Sequence, residues 1–191
     1  MQASLNALCD LPAGVEIKRA AADITSVAPS GLFEGYASLF GIVDAGRDEV
    51  VPGAFAASLQ KRGASGVKML WQHRAAEPIG QWTAIEEDKR GLRVTGRLNL
   101  AVARAREVLA LMRERAVDGL SIGFKAGRSA IDRKTGIRRL YAVDLWEISV
   151  VTFPMLPQAR ITTVKEASGD EARQEARLVR ALREGARLMR S

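Results

Sequence analysis

Thiol and imidazole are nearly missing from this chain. Its 191 residues include one cysteine, Cys9, and one histidine, His73. One cysteine cannot form an internal disulfide, and a four-ligand zinc site built from cysteine and histidine is excluded. A chain of this length buries enough core to fold without disulfides or metals, and no cofactor is expected. Any reaction that needs an imidazole base must use His73. No run of about 18 apolar residues exists, which argues against a membrane span. The leading stretch, residues 1–19, has no basic n-region and only a short apolar portion, which argues against a secretory signal. A soluble protein in a reducing, intracellular compartment is expected.

Charge is plentiful. Lys plus Arg number 29 and Asp plus Glu 22, for a formal net charge of +7 and an isoelectric point near 10.1. A basic balance suits nucleic acid or acidic protein partners. The cations are spread out, however, with no run of five, and read as a solvated surface. Aromatic residues are 5% of the chain. Trp71, Trp82 and Trp146 lie in apolar strand patterns and are not interleaved with basic residues, so they suit a core better than a base-stacking platform.

The expected organisation is a flexible lead-in over 1–14, one domain over 15–165 and a charged helical tail over 166–191. β-rich stretches recur at Val15–Val27, Gly31–Phe40, Val67–Gln72, Ile79–Glu86, Gly91–Leu98, Leu120–Ala126 and Leu140–Phe153. Gly, Pro or Asp clusters separate most of them, which suggests a sandwich or barrel. Two helices interrupt the pattern. Ala101–Ala116 carries Val102, Ala105, Leu109, Met112 and Ala116 on one stripe. A shorter helix near Gly53 has Phe55 and Leu59 on one face. In the tail, Ser168 and Glu171 fit a capping box ahead of an amphipathic helix. The fold class is therefore α+β, mainly β.

Three places carry chemistry. His73 ends the apolar strand Val67–Trp71 and enters a loop, where a general base or a hydrogen-bonded surface histidine are both at home. Ser121 has Gly119 and Gly123 two residues to either side, which permits close approach of another chain. The string matches the G-x-S-x-G of a nucleophile elbow, but the chain continues as strand rather than turning into a helix, so that fold does not apply. Asp144 and Glu147 lie in one apolar strand. With a period of two they point to opposite sides, so only one can meet His73. Glu147 lies among Trp146, Ile148 and Val150, where a carboxylate needs a partner, either His73 or an arginine.

In this order and spacing, the segments resemble the prohead (capsid maturation) proteases of tailed phages and gene-transfer particles, and are similar in kind to the herpesvirus assemblins. The likeness runs through Gly35–Phe40, Asp44, Val51–Phe55, Leu70-Trp-Gln-His73, Pro78-Ile-Gly80, Gly91-Leu92, Gly119–Phe124 and Asp144–Pro154. It implies an assemblin-like closed or partly open β-barrel flanked by helices. It also implies a serine endopeptidase that cuts capsid and scaffold segments, and itself, inside an immature prohead in the bacterial cytoplasm. Carried over by motif, Ser121 is the nucleophile, His73 the base and Glu147 the third member, with Asp144 the alternative. The assemblins use a second histidine at that third place, which this chain does not have. The oxyanion-hole residues are not legible; Gly123 is a candidate donor. Implied partners are the major capsid protein with its scaffold segment and further copies of the chain, with no membrane and no nucleic acid. A non-catalytic scaffold or assembly module with the same fold is the rival reading.

Overall fold

A computed structural model describes residues 16–20, 26–27 and 30–153. Eleven strands and two helices follow in chain order. They are β1 (Glu16–Ala20), β2 (Ser26–Val27), β3 (Leu32–Leu39), β4 (Asp48–Val50), α1 (Ala56–Gly66), β5 (Lys68–Trp71) and β6 (Arg74–Glu87). Then come β7 (Gly91–Leu98), α2 (Ala103–Arg113), β8 (Gly119–Ala126), β9 (Ser129–Ile131), β10 (Arg138–Leu140) and β11 (Val143–Val151). The protein is mainly β, as its alternating stretches indicate. The expected lead-in and C-terminal helix, with the capping box at Ser168, lie outside the described residues.

Eight strands form one sheet in the order β1-β8-β11-β5-β6-β7-β3-β2. The sheet curls, so that β3 lies against β8 and β1 across the interior. Its concave face is apolar because alternate residues point inward. Phe33, Met69, Trp82, Leu92, Val94, Ile122, Phe124, Leu145 and Ile148 are all buried there. Phe33 and Trp82 meet edge to face, with centroids 5.6 Å apart. Gly96 makes this possible. A Cβ at that position would sit 2.6–2.8 Å from Met69, Trp82 and Phe33.

The small strands β4, β10 and β9 make a second sheet. The sequence reads as one strand from Leu140 to Phe153. The chain instead ends β10 at Leu140 and enters the large sheet at Val143. Ahead of β6 a loop is expected at Arg74–Pro78. The strand starts at Arg74, and Pro78 is accommodated where the β5–β6 register shifts beside Leu70. A bulge removes the ladder hydrogen bond that proline cannot donate.

The helices fall close to expectation. α2 buries Ala105, Val108, Leu109 and Met112. It stops at Arg113, so Ala116 is exposed rather than on the buried stripe. Arg115 takes φ 57°. The Ala116 N–H bonds to the Leu111 carbonyl at 2.9 Å and the Arg115 N–H to that of Met112 at 3.1 Å. That is a Schellman cap with arginine where glycine is usual. α1 starts at Ala56 without a side-chain cap from Phe55. The Glu87 carboxylate supplies one from β6, accepting from the N–H groups of Gly53 at 3.1 Å and Phe55 at 2.8 Å. An anion at a helix N-terminus also suits the helix dipole.

Candidate active site

Three strands that are distant in sequence lie side by side, β8 antiparallel to β11 and β5 parallel to it. Register sorts their residues into two faces. Met69, Ile148 and Ile122 form one cross-strand row and point into the core. The next row, Leu70, Ser149 and Ser121, points the other way. Ser121 therefore stands directly across from Ser149. Cα atoms of such neighbours are about 5 Å apart.

β11 carries a bulge. Leu145 pairs with Phe124 and Glu147 with Gly123, one residue out of step. Strict alternation puts Leu145 and Glu147 on one face and Asp144 on the other. The bulge at Trp146 breaks that alternation. Leu145 faces the core with Phe124, while Glu147 joins the face of Gly123 and Ser121. Asp144, paired with Lys125, falls by register on that same face. What separates Asp144 from His73 is thus its partner rather than its face. Its carboxylate is clasped by the Arg62 guanidinium at 2.8–3.0 Å and accepts the Trp146 indole N–H at 2.9 Å. Partial burial pushes this carboxyl up, but the bonds from Arg62 and Trp146 outweigh burial and hold it below the ordinary range.

His73 belongs to the two-residue turn between β5 and β6. Gln72 has φ 52° and His73 φ 61°. Two successive positive φ values match the tight hairpin turn that usually selects Asn-Gly. Side chains with a Cβ occupy this region at a cost of about 1–2 kcal/mol per residue. β11 holds the turn in place. The Gln72 N–H donates to the Val150 carbonyl at 3.1 Å, and Gln72 Nε2 to Thr152 Oγ1 at 2.7 Å. The His73 N–H donates to Ser149 Oγ at 3.1 Å.

The imidazole then reaches Glu147, with Nδ1 2.6 Å from Oε1. Both side chains are 2% exposed, so this pair is shielded from solvent screening. An ionised carboxylate only accepts, so the bond to it assigns a proton to Nδ1; in the neutral ring that leaves Nε2 as the acceptor. Nε2 has no hydrogen-bond partner among the described residues. The second carboxylate oxygen, Oε2, accepts from the Ser149 hydroxyl at 2.6 Å. Gly123 provides the space for this carboxylate: a Cβ there would fall 2.2 Å from Oε1.

The structure thus brings His73 and Glu147 into contact and places Ser121 on the strand beside them, fully buried. It engages Asp144 elsewhere. Ser149 and Gln72 went unassigned in the sequence. Ser149 was legible in principle, since residues two apart on a strand share a face. A cleft of about 530 Å³ lies by the N-terminus of α2, lined by Pro78, Gln81, Arg97 and Asn99 among others. None of His73, Ser121 and Glu147 lines it, so the paired imidazole is the better guide to chemistry. No group of three or more His, Cys, Asp or Glu side chains suited to a metal occurs among the described residues. No helix among them is long and apolar enough to cross a membrane.

The chain is similar to known phage proteins. It is 36% identical over 151 residues to the prohead protease of Enterobacteria phage HK97, a match covering 77% of this chain and 66% of that protein. It thus spans just under two thirds of that relative. A second match, 32% identical over 112 residues, is to the capsid polyprotein of Pseudomonas phage PAJU2 and covers 55% of this chain and 17% of that protein. In fold it is similar to the bacteriophage T4 capsid assembly protease, with a TM-score of 0.57 at 12% identity over 73% of this chain and 98% of that one. The family model described as caudovirus prohead serine protease matches residues 16–175. The chain therefore belongs to the caudovirus prohead serine protease family.

Proposed function

We propose that this chain is the endopeptidase that matures a phage or phage-like prohead, cutting capsid or scaffold segments and its own chain. The observation that carries the reading is the buried Nδ1–carboxylate pair of His73 and Glu147 beside Ser121, in a chain of the prohead serine protease family. Such a pair fixes the imidazole tautomer, which leaves Nε2 as the base.

The reaction is acyl transfer. Nε2 of His73 takes the proton from Ser121 Oγ as that oxygen attacks the peptide carbonyl. Glu147 stabilises the imidazolium that forms, and the imidazolium returns its proton to the leaving amine. Water then hydrolyses the acyl-enzyme by the same route. Backbone N–H groups are the expected oxyanion donors, Gly123 among the candidates. Asp144, held by Arg62, is the weaker choice for the third role. The substrate partner is the major capsid protein with its scaffold segment, and self-association accompanies assembly within the prohead. The curled sheet fits a partly open assemblin-like barrel, and the tail beyond 165 is read as a targeting arm or a self-cleaved segment.

Co-expression with the capsid protein tests this. The wild-type chain should shorten it, and Ser121→Ala and His73→Ala should not. Glu147→Ala should lose more activity than Asp144→Ala. Equal shortening of capsid protein with all the variants would overturn the assignment.

A further inference from the structure

Ser149 makes two bonds that the acyl-transfer scheme does not use. Its oxygen accepts the His73 N–H at 3.1 Å, and its hydroxyl donates to Glu147 Oε2 at 2.6 Å. With the Nδ1–Oε1 bond of 2.6 Å, these close a ring of hydrogen bonds. The ring runs from the backbone of His73 through Ser149 and Glu147 and back to the imidazole of His73. Each link has a fixed direction. A backbone N–H can only donate, so Ser149 Oγ is its acceptor. The hydroxyl has a single proton, and the carboxylate can only accept it.

We propose that Ser149 is a positioning residue for the charge-stabilising carboxylate, fixing the plane in which the Glu147 carboxylate meets the His73 ring. The terminal torsion of a glutamate is broad, so a carboxylate held at one oxygen can still tilt its plane about that bond. Held at both oxygens, it keeps that plane. The same hydroxyl takes up the N–H of a residue in the left-handed region, φ 61°, and so ties the imidazole's backbone to its own counter-charge. This role rests on the reading of Glu147 as third member. A hydrogen bond to a charged group, as here to the carboxylate, typically contributes about 10–100-fold to an equilibrium.

His73 is the only histidine in the chain, so its ring can be observed without assignment ambiguity. The full chain is labelled with ¹⁵N-histidine and the Nδ1–H proton resonance recorded. A fluorophosphonate ester then labels the nucleophile, and its saturating first-order rate and its half-saturating concentration are measured separately. In Ser149→Ala the resonance should move upfield or vanish by exchange. The saturating rate should fall about 10–100-fold with half-saturation within about twofold. Ser149→Thr, which restores the hydroxyl, should recover both. If Ser149→Ala does not fold, Ser149→Cys, nearly isosteric with a weak donor, should show the same losses. An unchanged resonance and rate in the folded Ala or Cys variant would overturn the proposal. Glu147→Gln separates the two readings. If it too leaves resonance and rate intact, the third-member reading fails; if it abolishes both while Ser149→Ala does not, only the positioning role fails.

Discussion

At the scale of single residues, the site depends on a missing side chain as much as on those present. Gly123 lies opposite Glu147, and a Cβ there would meet Oε1 at 2.2 Å. Gly123→Ala must therefore displace the carboxylate or the strand. Overpacking of this kind costs about 1–3 kcal/mol, and activity should fall about 100-fold as Nδ1 loses its partner. Thermal denaturation and a cleavage assay on the same sample check both. Asp144 gives a prediction in pH. Its carboxyl is held low in the folded chain, chiefly against burial, by Arg62 and Trp146. The stability it contributes is fully present above the unfolded value, about 3.9, and is lost as pH falls through the lower folded value. Denaturation of Asp144→Asn and wild type should differ at pH 6 and converge as pH drops well below 4. The contact of His73 with Glu147 was legible, because a carboxylate in an apolar strand needs a partner. The partnership of Asp144 with Arg62, 82 positions away, was not, since no local pattern encodes it.

At the scale of elements, periodicity located what it measures and missed what interrupts it. α2 is legible from its apolar stripe, yet its end was misplaced because the chain stops with Arg115 at a position that glycine normally takes. The bulge in β11 has the same character. Alternation predicts the faces of Asp144 and Glu147 wrongly because one extra residue, Trp146, shifts the register. The turn at Gln72-His73 has no Asn-Gly signal, since its geometry is imposed by bonds from β11. Met112 tests how far α2 is independent of the site. It is buried on the helix's inner face, so Met112→Ala should cost about 2–5 kcal/mol while the activity of each folded molecule stays within about twofold. Urea denaturation together with active-site titration would show the separation. A parallel loss of titratable sites at low urea would mean that α2 shapes the site as well as the core.

At the scale of the whole molecule, one sheet serves as both scaffold and candidate site. β5, β8 and β11 give alternate rows to the core and to the candidate active face. Among the described residues, no separate layer carries the candidate site and could melt alone. Urea transitions followed by tryptophan fluorescence, far-UV circular dichroism and the His73 ring resonance should coincide, as two-state unfolding requires. An earlier transition of the ring resonance would reveal a site less stable than its sheet. The sheet order itself was not readable, because pairing between distant strands is decided by packing rather than by neighbouring residues.

The parallel pairing of β5 with β11 also sets a timetable. His73 is synthesised early, and Ser121 follows, but the turn's clasp and the carboxylate come only with residues 147–152. A nascent chain that ends before β11 holds Ser121 and His73 without the bonds that fix the His73 turn and imidazole. On the proposed roles, translation of β11 both completes the described sheet and assembles the candidate site.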